Sequence, residues 1–145
     1  MDKIVFTVPG APAGKARART VKNKYTGQTM SFTPESTILY ENLIKNCYMQ
    51  ASAYIFNNKE PLRLCINAYF APPASASKKR CGAMLTGNER PVKKPDADNI
   101  AKTVCDALNG LAYGDDTQIC QLIVNKIYAA VARLEVEIEP IITGE

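Results

Sequence analysis

The chain has 145 residues, 46% of them hydrophobic, with 18 Lys and Arg against 14 Asp and Glu for a net charge of +4, five cysteines and no histidine. That length supports one domain with a true core, so a single domain over residues 1–145 is expected; no apolar run approaches the roughly 18 residues of a membrane span, and Met1 to Phe6 lacks signal-peptide character, so a cytoplasmic protein is expected. The lack of histidine excludes Ser-His-Asp hydrolysis, the usual zinc sites and a histidine general base, while the odd, widely spaced Cys47, Cys65, Cys81, Cys105 and Cys120 read as reduced thiols, mostly in the core.

Ile4 to Val8 reads as a short strand stopped by Pro9-Gly10, and a basic loop carrying Lys15, Arg17 and Arg19 follows. Tyr25-Thr26-Gly27 is a turn signal inside Val21 to Phe32 and predicts a small hairpin or flap. From Pro34 to about Phe56, apolar residues such as Ile38, Leu39, Leu43, Ile44, Tyr48 and Ile55 recur at three- and four-residue spacing, predicting a helix with Pro34 in its first turn. Leu62, Leu64, Ile66, Ala68 and Phe70 alternate as a strand, and residues 71–95 then read as a long basic loop. A second helix is expected from an N-cap at or near Asp98 to about Leu111, stopped by Asn109-Gly110. A strand from Gln118 to Tyr128 follows, and a last one turns Leu134, Val136 and Ile138 inward and Arg133, Glu135, Glu137 and Glu139 outward. The expected fold is thus a single α/β (α+β) domain, with a mixed sheet of about four to five strands and two principal helices.

Elsewhere the acids are scattered, but aspartates gather between 96 and 116. On a helix, Asp98, Lys102, Asp106 and Asn109 share one arc, while Ile100, Val104, Ala107, Leu108 and Leu111 share the opposite one. Taken singly, Asp98 reads as a helix cap, Asp98 with Lys102 as an i,i+4 ion pair and Asp115-Asp116 as a turn. Together they point to a divalent-metal site facing phosphate, and all-oxygen ligands suit Mg²⁺ or Mn²⁺. A calcium EF-hand loop is excluded, because its glycine would fall on Ala101 and its bidentate Glu on Ala107. The turn after the helix is expected to bring Asp115 or Asp116 back beside Asp96 and Asp98.

Two basic blocks flank this motif. Six bases meet one acid up to Lys24, and Lys78, Lys79, Arg80, Arg90, Lys93 and Lys94 meet only Glu89 between 78 and 94. The second block runs directly into the aspartates, which favours a polyanion that the acids alone would repel. Lys15, Arg17, Arg19, Lys78, Lys79, Arg80, Lys93 and Lys94 are accordingly the candidate DNA-binding residues.

The run Lys94-Pro95-Asp96-Ala97-Asp98-Asn99-Ile100-Ala101-Lys102, with Asp106-Ala107-Leu108-Asn109-Gly110 and Tyr113-Gly114-Asp115-Asp116-Thr117-Gln118-Ile119, resembles the signature of the RusA family of Holliday junction resolvases. Weaker likenesses lie at Pro9-Gly10-Ala11-Pro12 and at Pro72-Pro73. The resemblance implies a RusA-like fold and a homodimer acting on branched DNA, a four-way junction, by Mg²⁺-dependent phosphodiester hydrolysis in recombination and repair, leaving a 5′ phosphate and a 3′ hydroxyl. It implies Asp96, Asp98, Lys102 and Asp116 as the catalytic set, with Asp96, Asp98 and Asp116 as metal ligands, Asp115 as a further candidate ligand and Asp106 in support. One departure is Ala74-Ser75-Ala76-Ser77, where the family carries a bulky aromatic. A nuclease preferring flaps or forks would use the same site, and a non-catalytic DNA-binding module would explain the basic blocks but not the acids.

Overall fold

In a computed structural model that describes residues 3–15, 19–32 and 34–142, the chain forms a single α+β domain. Its elements are β1 (Ile4–Pro9), β2 (Arg19–Lys22), β3 (Thr29–Phe32), α1 (Glu35–Ala51), β4 (Leu62–Phe70), α2 (Lys78–Leu85), α3 (Ala97–Leu108), a 3₁₀ turn (Asp116–Gln118), β5 (Ile119–Tyr128) and β6 (Arg133–Pro140). The main sheet has the order β1-β6-β4-β5, and β2 pairs with β3 as a separate hairpin. β1 and β4 run antiparallel to β6, whereas β4 and β5 are parallel. Parallel neighbours need a long crossover rather than a tight turn. Here the crossover holds α2 and α3, and so decides where the aspartates go.

Period-two patterning sets the core. Leu62, Leu64, Ile66, Ala68 and Phe70 are buried along β4, Leu134, Val136 and Ile138 along β6, and Ile4, Phe6 and Val8 along β1. α1 packs against β1 and α3, and α3 against β5. The inner face of α3 is the expected one, with Ile100, Val104, Ala107 and Leu108 buried. Its outer face is therefore free for chemistry.

Several boundaries differ from expectation. α1 ends at Ala51 rather than near Phe56, because the Ser52 hydroxyl accepts the Tyr54 N–H (3.0 Å) and draws the chain out of the helix. Ile38, Leu39 and Ile55 are exposed, while Ile44 and Tyr48 hold the core. α3 begins two residues earlier than an Asp98 cap allows: Asp96 is the N-cap, and the helix stops at Leu108 rather than near Leu111 as Asn109 turns extended and Gly110 takes φ +77°. The 71–95 segment holds a third helix, since Ser77 accepts the Arg80 N–H (3.2 Å) and caps α2. The five cysteines are free, but none is fully buried: Cys65 alternates with Leu64 and Ile66 and so faces outward, and Cys120 is exposed. No helix among the described residues is long and apolar enough to cross a membrane.

β5 is an edge strand. By register Leu122 shares the inner face with Leu64, yet 47% of it is exposed. Ile66→Ala, in the centre of the sheet, is expected to cost about 2–5 kcal/mol, and Leu122→Ala about 1 kcal/mol or less. Urea unfolding should show this as a large midpoint shift for the first variant and a small one for the second, at unchanged slope.

Candidate active site

The start of α3 is built so that two carboxylates stay unspent. Asp96 occupies the N-cap, φ −69° and ψ 153°, but its side chain caps nothing, and Asp98 lies in the first turn. Both are exposed, and neither carboxylate takes a hydrogen bond or an ion pair from a described residue. A cis Lys94–Pro95 peptide leads into them. Beside them opens a cleft of about 560 Å³ lined by Gly14, Lys15, Lys94, Pro95, Asp96 and Asn99.

The opposite wall of that cleft is the loop after β1, and Asn99 holds it there. The Asn99 side chain accepts the Lys15 N–H (3.0 Å) and donates to the Lys15 carbonyl (3.0 Å), satisfying both backbone groups of one residue. The approach is close enough to require glycine next door, since a Cβ on Gly14 would lie 2.5 Å from Asn99 Nδ2 and 2.9 Å from Pro95 Cβ. The Lys15 ammonium then reaches Asp106 Oδ2 at 2.7 Å and Glu41 Oε2 at 3.8 Å. The Asp106 hydrogen bond is the main reason its pKa lies above the ordinary lysine value. Lys15 therefore braces this loop against α1 and α3.

Lys102 points forward along the helix rather than back. Its ammonium lies 3.6 Å from Asp106 Oδ2, with 65% of the side chain exposed, so its i,i+4 partner is Asp106 and not Asp98. Asp106 thus carries two lysines. The Lys102 charge is only partly matched and stands open to solvent on the face that carries Asp98.

The return from α3 is pinned by two buried side chains. Tyr113, fully buried, donates its hydroxyl to the Cys105 carbonyl (2.8 Å), and burial pushes its pKa far above the ordinary tyrosine value. Gln118, 8% exposed, works in both directions. Its Oε1 accepts the N–H groups of Gly114 (2.9 Å) and Asp115 (3.2 Å), and its Nε2 donates to the carbonyls of Asn57 (2.7 Å) and Glu60 (3.2 Å). A Cβ on Gly114 would displace the end of the exposed Asn58 side chain. The two acids of the turn diverge. Asp115 accepts the Thr117 hydroxyl at 2.7 Å, and that bond, helped by the Thr117 and Asp116 N–H groups, holds its carboxyl below the usual range. The Asp116 carboxylate has no such bond among the described residues and faces the neighbourhood of Cys105 and Asp106. Cys105 is no nucleophile at neutral pH, because burial, with Asp116 and Asp106 nearby, pushes its thiol to about 11.

The donor chemistry of Asp96, Asp98 and Asp116 fits a hard divalent cation: anionic oxygen ligands with no competing partner among the described residues. The same residues form no closed cage, for no group of three or more acidic or cysteine side chains among the described residues is gathered tightly enough to hold an ion. Asp98 and Asp106 stand about 12 Å apart along the helix axis by the 1.5 Å rise, and Asp116 lies near Cys105 in the second half of α3 rather than in one cluster with Asp96 and Asp98, as the sequence suggested. An open arrangement of this kind suits Mg²⁺, which commonly takes one or two carboxylates and completes its shell with water and substrate phosphate.

The basic candidates divide. Arg17 lies outside the described residues, as does the side chain of Arg19, whose backbone opens β2. Lys78 and Lys79 start α2 without ion-pair partners among the described residues, but Arg80 is tied to Glu89 at 2.9 Å. Lys94 lines the cleft, and Lys93 lies over the Phe70 and Tyr128 rings. The Ala74-Ser77 stretch is used for building, since Ala76 packs on the core and Ser77 caps α2. Residue-type reasoning missed the bracing role of Lys15 and the two amides, Asn99 and Gln118. Only glycines at 14 and 114 hinted at close backbone approach.

Residues 9–139 match the family model of endodeoxyribonuclease RusA. A Bacillus subtilis (strain 168) protein, "Uncharacterized protein YqaN", is 33% identical over 144 residues, spanning 97% of this chain and 99% of the relative. With the family model covering nearly all of the fold, the chain belongs to the RusA endodeoxyribonuclease family.

Proposed function

We propose that the protein is a Mg²⁺-dependent endonuclease that resolves four-way DNA junctions, as a homodimer, by paired phosphodiester hydrolysis in recombination and repair. The observation that carries this reading is the contrast among its acids. Asp106, Asp115, Glu89, Glu135, Glu137 and Glu139 all have protein partners, whereas Asp96, Asp98 and Asp116, and outside this region Glu35, have none among the described residues. Three uncompensated carboxylates beside a basic loop are repulsive to DNA unless a cation joins them.

Asp96, Asp98 and Asp116 would hold one or two Mg²⁺ ions, each through one or two carboxylates with water and substrate phosphate completing the shell. Bound there, Mg²⁺ supplies a water of lowered pKa and neutralises charge on the scissile phosphate. Lys102, one turn beyond Asp98, offers an ammonium to a non-bridging phosphate oxygen, where charge grows in the transition state. Asp106 holds that ammonium on the outer face of α3, and because Lys15 also bonds Asp106, the Lys102 charge is not cancelled. Asn99 holds the far wall of the cleft to α3, and Gln118 fixes the turn from which Asp116 projects. A four-way junction is close to twofold symmetric and needs two cuts, so two copies of one site are the economical solution.

A flap or fork nuclease would share every residue of this site. Labelled junction, flap and linear duplex, each incubated with Mg²⁺ and with a chelator, separate the readings: junction cleavage in symmetric pairs with Mg²⁺ alone supports resolution, preferential flap or fork cleavage supports the second reading, and binding without cleavage of any substrate removes nuclease activity.

Asp96→Asn, Asp98→Asn and Asp116→Asn should each lower the cleavage rate by about a hundredfold or more while junction binding survives, because a neutral amide is a poor ligand for a divalent ion. Near-parental cutting by any one of them removes that residue from the ligand set. Lys102→Ala should slow cleavage at least about tenfold with folding and junction affinity little changed. If the lysine only paired with Asp106, the variant would lose a few tenths of a kcal/mol of stability and keep its rate. Asp106→Asn should do less than any ligand change.

Gln118→Ala should destabilise the fold by about 1–3 kcal/mol by stranding the carbonyls of Asn57 and Glu60 and two N–H groups. Hydrogen exchange in the metal-free protein should quicken selectively at Gly114 and Asp115, and cleavage should fall about tenfold. Unchanged exchange at both amides would show that the turn does not depend on this side chain.

A further inference from the structure

Three cations meet at the far end of the parallel strand pair and a fourth, Lys94, follows in the chain, none with an acid to match it among the described residues. The Lys93 ammonium lies 5.8 Å from the centre of the Phe70 ring and 6.0 Å from that of Tyr128, and the Lys126 ammonium lies 5.5 Å from the same Phe70 ring. Lys126 Nζ donates to the Lys93 carbonyl, and Arg90 Nη1 donates to the Lys126 carbonyl at 3.2 Å. Lys94 is the next residue and lines the catalytic cleft. No carboxylate of a described residue pairs with any of the four, whereas Lys3, Lys15, Arg63, Arg80 and Arg133 each have one.

Like charges held on one ring repel. Cation–π contacts at exposed sites return only about 0.5–1 kcal/mol each, so the cluster is favourable chiefly when an anion lies across it. Backbone carbonyls and rings fix the positions of Lys93 and Lys126. Lys94 lines the cleft with Asp96, and its neighbour Lys93 lies with Lys126 at the Phe70–Tyr128 end of the sheet. They offer point charges and one guanidinium, a set that reads phosphodiester charge rather than base sequence.

We propose that Arg90, Lys93, Lys94 and Lys126 form a platform for the phosphate backbone of one duplex arm, leading that arm out of the cleft. The proposal deepens the nuclease reading by assigning the path of its substrate, and it can fail separately, because arm binding is measured without metal. Lys126 is the informative member, since it lies on β5, 32 residues from Lys94 in sequence, and only the fold brings it to the cluster.

The test is binding of the full chain to a linear duplex and to a four-way junction in chelator, from 50 to 200 mM salt. The triple variant Arg90→Gln, Lys93→Gln, Lys126→Gln leaves out Lys94, which lines the cleft. Its slope of log affinity on log salt should be shallower by about 2 to 3 for both substrates, at about 0.9 for each phosphate no longer neutralised, with affinity at 50 mM salt down at least about tenfold. The double variant Lys45→Gln, Lys59→Gln serves as a control for charge removal elsewhere. If the triple variant unfolds, Lys126→Met, which keeps an apolar stem over Phe70, should by itself reduce the slope by about 1. A slope change no larger than that of the control, on either substrate, overturns the platform.

Discussion

The parallel pairing of β4 with β5 is the constraint from which the site follows. It forces a crossover between Phe70 and Ile119, and that crossover lays α3 over the sheet with its apolar stripe down. A hairpin would have joined the same two strands in a few residues and left no outward helix face. Because the crossover leaves β4 near Phe70 and rejoins at β5, the start of α3 lies toward the cation cluster and the Asp116 turn lies toward the second half of the helix. Acids far apart in sequence are thus distributed along one side of a single helix.

What keeps those acids available is that uncharged groups take the structural work around them. An aspartate at an N-cap or in a tight turn is ordinarily consumed by orphan N–H groups. In this fold the N–H groups of Gly114 and Asp115 go to the Gln118 amide, and the backbone of Lys15 goes to Asn99. Asp115 is the exception: Thr117 takes its carboxylate, so of the adjacent pair one member serves the turn and the other stays open.

The strands and the working face of α3 were legible because burial writes them directly into the sequence. β4 and β6 alternate without a break, and Ile100, Val104, Ala107 and Leu108 return at helical spacing. The helix ends were less legible, since a single hydroxyl at Ser52 or a left-handed Gly110 decides them within one turn. α2 was hidden by a polar, glycine-containing octet whose only deeply buried member is Met84. Partner choice was the least legible of all. Lys102 had an acid at either end of its turn, Asp98 and Asp106, and Lys15 looked like a free base until the fold set it against Asp106 from 91 residues away.

That redistribution of partners changes what net charge means for this protein. Lys15 and Arg80 belong to basic blocks by sequence, yet each is matched by an acid in the fold, so neither adds much to the field outside. Lys126 belongs to no block and stands among unmatched cations. A residual charge of +4 spread evenly would give weak, undirected attraction to DNA. Pairing off Lys15 and Arg80 while leaving Arg90, Lys93, Lys94 and Lys126 unmatched, close to the unmatched Asp96 and Asp98, gives the field a direction toward the start of α3.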